Sequence, residues 1–419
     1  MTNPKKIAIL HYTAPPVIGG VESVLEAQAN LFIRHHYAVT VIAGRGDSSA
    51  LPQGVNFISV PLIDSQHPEI TAMNQQLEQG VLPTNFEKIK DELVQTLWPI
   101  LSGFDTVIVH NIFTKHFNLP LTAALFFLLN EEGIKQWIAW SHDFTWTSPN
   151  SSSKVFPEYP WELLRTSHTK LQHVVVSKDR QKDLAGLYGV EPESIKVIYN
   201  GVDLQSLLGL SKTAMRIVSH CDLTSSDLNL LMPVRVTQAK NIEFALHTLA
   251  EIKQAGLTPK LILTGPPDPH DPKNMAYFES LKELRDQLGL NENMFFVYEL
   301  CADSGDPLTL SMDVVGELYR VVDGLFMPSH REGFGMPILE AGLTGLGIFS
   351  APIPATVEIG QKDVHWVDIN KEPHLTAKQI LEWCEHNQAY RMRKKVRQNY
   401  TWEALFQNDM KPLIDPREQ

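Results

Sequence analysis

In Asp323-Gly-Leu-Phe-Met-Pro-Ser-His-Arg-Glu-Gly-Phe-Gly-Met-Pro-Ile-Leu-Glu-Ala341, an apolar run, a polar loop with two glycines and a helix start follow one another without interruption. Gly324 to Met327 reads as a buried strand, and the helix begins after Gly335. Gly333 and Gly335 let the backbone approach a ligand, and Pro337 suits a first helical position, where its missing N–H leaves no bond unmade. The amides of Gly335, Met336 and Ile338 are then expected to point at phosphate oxygens, with the helix dipole behind them. Glu332 precedes the turn and Glu340 is expected in the first helical turn. Carboxylates repel phosphate, so both acids are better suited to accept hydrogen bonds from hydroxyls. A diphosphate flanked by hydroxyl-rich rings is a nucleotide sugar, and Gly333, Phe334, Gly335, Met336 and Glu340 form the candidate donor loop.

The same alternation of short apolar runs and amphipathic stretches runs through the chain, the pattern of a parallel sheet covered by helices on both faces. Strands are expected at Ile7 to His11, Tyr37 to Ala43, Asp105 to Val109, Trp137 to Trp140, His173 to Val176 and Ile195 to Tyr199. Val21 to Phe32 has helical spacing, whereas Asp47 to Leu101 is polar and assigns no elements. After Asn200-Gly-Val-Asp203 a second series begins, with strands at Leu228 to Val234, Lys260 to Thr264, Met294 to Val297, Gly324 to Met327 and Gly347 to Ser350. Helices are expected at Ile242 to Ala255 and Met275 to Leu288. The pattern predicts an α/β chain of two Rossmann-like domains, residues 1–205 and 206–399, facing a central cleft.

A length of 419 residues fits two large domains. The net charge of −12 argues against a nucleic-acid binder, which needs a concentrated positive field. The densest basic cluster, Arg391, Arg393, Lys394, Lys395 and Arg397, reads as a solvated helix face. Cys221, Cys301 and Cys384 are too far apart for a CxxC pair and read as free thiols in a reducing compartment. The longest apolar run, Leu119 to Leu129, is about half a membrane span. A cytoplasmic location is expected, and peripheral membrane contact stays open.

In open α/β sheets ligands sit beyond the carboxyl ends of strands. Gly19-Gly20 follows the first strand and precedes a helix with Glu22 in its first turn, so its backbone can meet a diphosphate, although a tight turn uses the same residues. Arg235 follows Leu228 to Val234, and Lys240 lies before Asn241, a residue type that caps helices. Both cations can neutralise the charge that grows on a departing diphosphate. His142 follows a buried strand in Trp140-Ser-His-Asp143, and Asn200 ends another. No metal or other cofactor is expected: the ligand-type residues of Asp268-Pro-His-Asp271 sit in a proline-rich loop without metal-site spacing.

Taken in order, Gly19-Gly-Val-Glu22, Ser141-His-Asp143, Asn200-Gly-Val-Asp203, Arg235 with Lys240, Glu332 with Glu340, and Tyr400-Thr-Trp402 resemble the motif set of retaining glycosyltransferases of family 4. The resemblance implies the GT-B fold, with a final helix over 400–419 crossing back to the first domain. It implies transfer of a hexose from a nucleoside-diphosphate sugar, expected to be UDP- or GDP-linked, to an acceptor that the sequence does not identify. By that resemblance Glu332 contacts the sugar, Glu340 the ribose, Arg235 and Lys240 the diphosphate, and His142 lines the sugar pocket, with Gly19, Gly20 and Asn200 on the donor's other side. The chain departs from the pattern at Pro233-Val234, Leu346 and Pro354-Ala-Thr-Val-Glu358, changes expected to alter the shape of the donor pocket and to keep its charged groups. Two other functions fit the same sequence: a sugar phosphorylase of the same fold, and a non-catalytic nucleotide-binding module.

Overall fold

The structure, a computed structural model, describes residues 3–267, 273–302 and 305–416. The Asp268-Pro-His-Asp271 segment lies outside the described residues. The chain forms two compact units: one runs to Gly201 and takes up the chain again from Leu405, and the other spans Val202–Ala404.

The first unit holds β1 (Lys6–Thr13), β2 (Ala38–Arg45), β3 (Asn56–Ser59), β4 (Thr106–His110), β5 (Gln136–Ser141), β6 (Leu171–Val175) and β7 (Lys196–Val197). They pair in the order β3-β2-β1-β4-β5-β6-β7, each pair parallel. Helices α1 (Gly20–Arg34), α2 (Pro68–Leu77), α3 (Phe86–Leu101), α4 (Leu119–Leu128) and α5 (Lys178–Tyr188) lie between strands in the chain. From Ile7 to Thr13 every residue of β1 is buried, as a central parallel strand covered on both faces requires. The sequence left β3, α2 and α3 unassigned. In α3 the buried residues Phe86, Ile89, Leu93, Leu97 and Leu101 recur every three or four positions, so one stripe faces the core.

The second unit repeats the plan with β8 (Leu228–Met232), β9 (Pro259–Leu263), β10 (Met294–Phe296), β11 (Gly324–Met327), β12 (Gly347–Ser350) and β13 (His365–Trp366). Their order is β10-β9-β8-β11-β12-β13, again all parallel. β8 stops two residues earlier than its apolar run, because Pro233 has no N–H to give a ladder. Strand order reverses between β1 and β4 in one sheet and between β8 and β11 in the other. Connections leave in opposite directions there, which opens a crevice at the carboxyl ends.

From Leu405 the chain packs within the first unit. Phe406 stacks on His35 at 3.8 Å between ring centres, and Gln136 donates to the Leu413 carbonyl at 2.7 Å. A π-helical turn, Phe406–Met410, interrupts this segment just before Pro412, whose missing N–H breaks the regular bonding. No helix among the described residues is long and apolar enough to cross a membrane.

The basic cluster near the carboxyl terminus is not simply a solvated face. Arg397 is 3% exposed and donates to Asp323 Oδ1 at 2.9 Å and to the Ser226 and Asp227 carbonyls at 3.1 and 3.2 Å. The other Asp323 oxygen accepts the Asn229 N–H at 2.9 Å, so one buried ion pair ties the helix Gln388–Asn399 to the start of β8 and β11. Lys394 pairs with Asp227 at 2.7 Å, while Arg391 and Lys395 face solvent. Arg397→Ala strands a buried carboxylate and is expected to cost about 3–5 kcal/mol in urea unfolding. Exposed Arg391→Ala should stay within about 0.5 kcal/mol of wild type, and equal effects would refute the assignment.

Candidate active site

At the second unit's switch point, the loop after β11 carries Ser329, His330, Arg331 and Glu332, and the helix Met336–Leu343 follows. Both Glu332 oxygens are engaged. Lys240 Nζ donates to Oε2 at 2.7 Å and Ser329 Oγ to Oε1 at 2.7 Å. The Lys240 and Glu332 side chains are 19% and 9% exposed, so the charge-assisted bond is only partly screened. The two loops are joined by backbone as well, since the His330 N–H donates to the Ala239 carbonyl at 2.9 Å. Ser329 was not singled out from the sequence; its only signal is its place three residues before Glu332.

Gly335 sits at φ +100°, a left-handed conformation that opens the helix and that a side chain would strain. A Cβ on Gly333 would meet nothing within 4 Å, so the loop is open to a ligand there. Phe334 and Met336 are half exposed. Three local expectations need correction. Ile338 N–H donates to the Gly335 carbonyl at 2.9 Å and is not offered to a phosphate, which leaves the Gly335 and Met336 amides as the candidates. Asn241 precedes its helix in a left-handed conformation, φ +52°, and its side chain makes no cap bond. Glu340 is the fifth residue of its helix, past the first turn, which holds no acid. It lines a cavity of about 220 Å³ with Met312, Val315, Gly316, Tyr319, Leu343 and Thr344. Burial, and after it the Glu340 carboxylate, raises the Tyr319 pKa, although the phenol makes no hydrogen bond.

Arg235 lies five residues before Lys240 with its side chain exposed. Its backbone is braced from below: a Cβ on Gly265 would stand 2.4 Å from the Val234 carbonyl oxygen and 2.8 Å from Arg235 Cα. Lys240 and Glu332 are brought into contact, while Arg235 lies in the loop that leads to Lys240 and Glu340 on the helix that follows Glu332.

At the first unit's switch point, Gly19 and Gly20 lead into α1, and Glu22 folds back to accept from the Thr13 hydroxyl. His11, at the end of β1, and His110, at the end of β4, are buried beside it, together with Gln28 of α1. Gln28 Oε1 lies 3.1 Å from His110 Nε2, and with the amide in this orientation that nitrogen carries the proton. His110 Nδ1 is then an acceptor and receives the Nε2–H of His142 at 3.2 Å. This leaves His142 Nδ1 unprotonated. Asn111, at φ +59°, accepts the His142 N–H at 2.7 Å and fixes the backbone there. Burial first, and then His11, pulls His142 down to about 4, and burial holds His110 well below the ordinary histidine range. Asn200 is exposed near the end of this unit, beyond β7. Among the described residues, no group of histidines, cysteines and acids is arranged to hold a metal ion.

Two family profiles divide the chain: Glycosyltransferase Family 4 matches residues 18–206 and Glycosyl transferases group 1 matches residues 223–401. The chain belongs to the family 4 glycosyltransferases, of GT-B fold. It is 25% identical over 284 residues to mannosylglucosylglycerate synthase of Petrotoga mobilis, covering 63% of each chain. It is 24% identical over 249 residues to the uncharacterized glycosyltransferase MJ1607 of Methanocaldococcus jannaschii, covering 57% of this chain and 59% of that one. The matched region thus spans less than two thirds of these relatives' length. Among solved structures, Anabaena Alr3699/HepE in complex with UDP and glucose aligns over 98% of this chain and 99% of its own, at 18% identity and a TM-score of 0.35. The fold assignment rests on the two sheets and the family profiles, not on that superposition.

In this chain, nitrogen-15 NMR of the imidazoles should show His110 and His142 as neutral Nε2–H tautomers, with His142 half protonated only near pH 4. Unfolded histidine titrates near about 6.5, so the folded state binds fewer protons between these values and stability should fall as pH drops through that window. A His142 protonated at Nδ1, or titrating near its ordinary value, would contradict the geometry.

Proposed function

We propose that the chain is a retaining, metal-independent hexosyltransferase. It takes a hexose from a nucleoside-diphosphate sugar, UDP- or GDP-linked, and delivers it to an acceptor hydroxyl. The observation that carries this reading is the Lys240–Glu332 bond at the crevice between β8 and β11, beside the amides that open the helix at Met336. One charge of the pair suits a diphosphate and the other suits sugar hydroxyls, and they stand 2.7 Å apart, so a ligand that joins a phosphate to a sugar can meet both.

In this reading Lys240, Arg235 and the Gly335 and Met336 amides receive the diphosphate, and the loop Gly333-Phe334 lies along it. Glu332 accepts from the sugar hydroxyls and Glu340 from the ribose. By their place in the family's motifs, His142 is assigned to the sugar, Gly19 and Gly20 to the diphosphate, and Asn200 to the donor without a more specific role. As the bond from the anomeric carbon to the phosphate oxygen breaks, the acceptor oxygen bonds that carbon on the same face. Its proton passes to the departing phosphate oxygen. Negative charge grows on the diphosphate, and fixed cations and amides that receive it would each contribute on the order of 3 kcal/mol in a water-poor site. The positive charge comes from side chains, which is why no metal step is invoked. A cytoplasmic location is part of the same reading.

Isothermal titration with UDP and with GDP tests it. One of the two should bind, and the Arg235→Ala, Lys240→Ala double variant should weaken binding at least about 100-fold, since each charged hydrogen bond is worth about 1.5–3 kcal/mol. Binding of neither nucleotide, or unchanged binding in a folded double variant, would remove the basis of the proposal.

A further inference from the structure

The first unit contains a second cavity that none of the assigned residues lines. It has a volume of about 370 Å³ and is walled by Ser65 and Gln66, by Thr71, Asn74, Gln75 and Glu78, and by His116, Phe117 and Lys154. The four middle residues follow the spacing i, i+3, i+4, i+7 along α2 and its end, so they form one polar stripe. Ile70, Met73 and Leu77 of the same helix face the core instead. A polar helix face that lines a cavity offers its hydrogen-bonding groups to an occupant.

The lining has the chemistry of hydroxyl recognition. The side chains of Ser65, Gln66, Thr71 and Gln75 make no hydrogen bond among the described residues and supply both donors and acceptors. Phe117 is 40% exposed and offers an apolar ring surface of the kind that packs against C–H groups. Asn74 is fixed by its bond to the Phe117 carbonyl at 2.8 Å, which ties stripe and ring together. The charges on the wall cancel. Glu78 Oε1 pairs with Lys154 at 2.9 Å and lies 3.5 Å from His116 Nε2, and burial, followed by Lys154, pulls His116 down to about 4, so it stays neutral. Lys115 stands over the Phe117 ring at 5.0 Å and is not part of the lining. An anionic guest would have to break the Glu78–Lys154 pair.

The cavity is also built on the strand ends that carry His142. His116 donates its N–H to Thr145 Oγ1 at 3.1 Å, and Thr114 Oγ1 donates to the Asp143 carbonyl at 2.8 Å, one residue after His142. We propose that this cavity binds an uncharged glycose or cyclic polyol and serves as the acceptor subsite. The role of acceptor rests on the transferase reading above, but the binding itself does not.

Saturation-transfer NMR with D-glucose, D-mannose and myo-inositol, and with D-glucose 6-phosphate as the charged counterpart, tests the proposal on the full chain. At least one neutral compound should bind. Thr71→Trp, which fills the cavity from a solvent-facing position, should weaken it at least about tenfold with the thermal midpoint unchanged, and Phe117→Ala, which removes the ring, should weaken it as much in a chain that still folds. Titration of UDP runs alongside, and its affinity should be the same in both variants. No neutral compound binding, unchanged affinity in Thr71→Trp, or a clear preference for glucose 6-phosphate would each overturn the assignment. If UDP fails to bind the wild-type protein while the neutral sugar binds and is displaced by Thr71→Trp, the donor reading fails and the subsite stands.

Discussion

A parallel sheet whose strand order turns about its middle has one place where neighbouring strands send their connections apart, and both sheets here obey that constraint. β1 beside β4 and β8 beside β11 are those places. Every group with distinctive chemistry near the site descends from it. Lys240 and Glu332 lie 92 residues apart in the chain and meet because β8 and β11 are neighbours. Gln28, His110 and His142 come from three successive parts of the first unit and meet because β1, β4 and β5 lie side by side.

The electrostatics of the two switch points differ. In the second unit a full positive and a full negative charge are held together with limited exposure, so neither pays much to reorganise when a polar ligand arrives. In the first unit burial keeps three imidazoles from charging, and the hydrogen-bond order Gln28, His110, His142 leaves one bare nitrogen at the end of the row. That end is suited to accept from a hydroxyl and unsuited to attract an anion.

The architecture was legible wherever a strand was buried on both faces, because a run such as Ile7 to Leu10 or Leu228 to Met232 has few other readings. It was not legible in α2, where three core residues alternate with a polar stripe that lines a cavity, so the apolar signal is thin. β13 is two residues long and has no periodicity to read. At the site, the acids, cations and glycines could be named from residue type and spacing. The contacts of Ser329, Gln28, His11 and His110 could not, since a serine or glutamine carries no signal until the fold supplies its neighbour. Arg397 was misplaced for the related reason that helical charge spacing does not tell which of five basic residues faces a buried aspartate.

Everything proposed for the donor side rests on the bond between Lys240 and Glu332. A double-mutant cycle with Lys240→Met and Glu332→Gln, read by urea unfolding and by nucleoside-diphosphate titration, measures it directly. A coupling of about 0.5–3 kcal/mol in stability is expected, together with loss of nucleotide binding in both variants that lack Lys240. Additive effects within about 0.5 kcal/mol, with nucleotide binding untouched, would show that the two side chains act independently and contradict it.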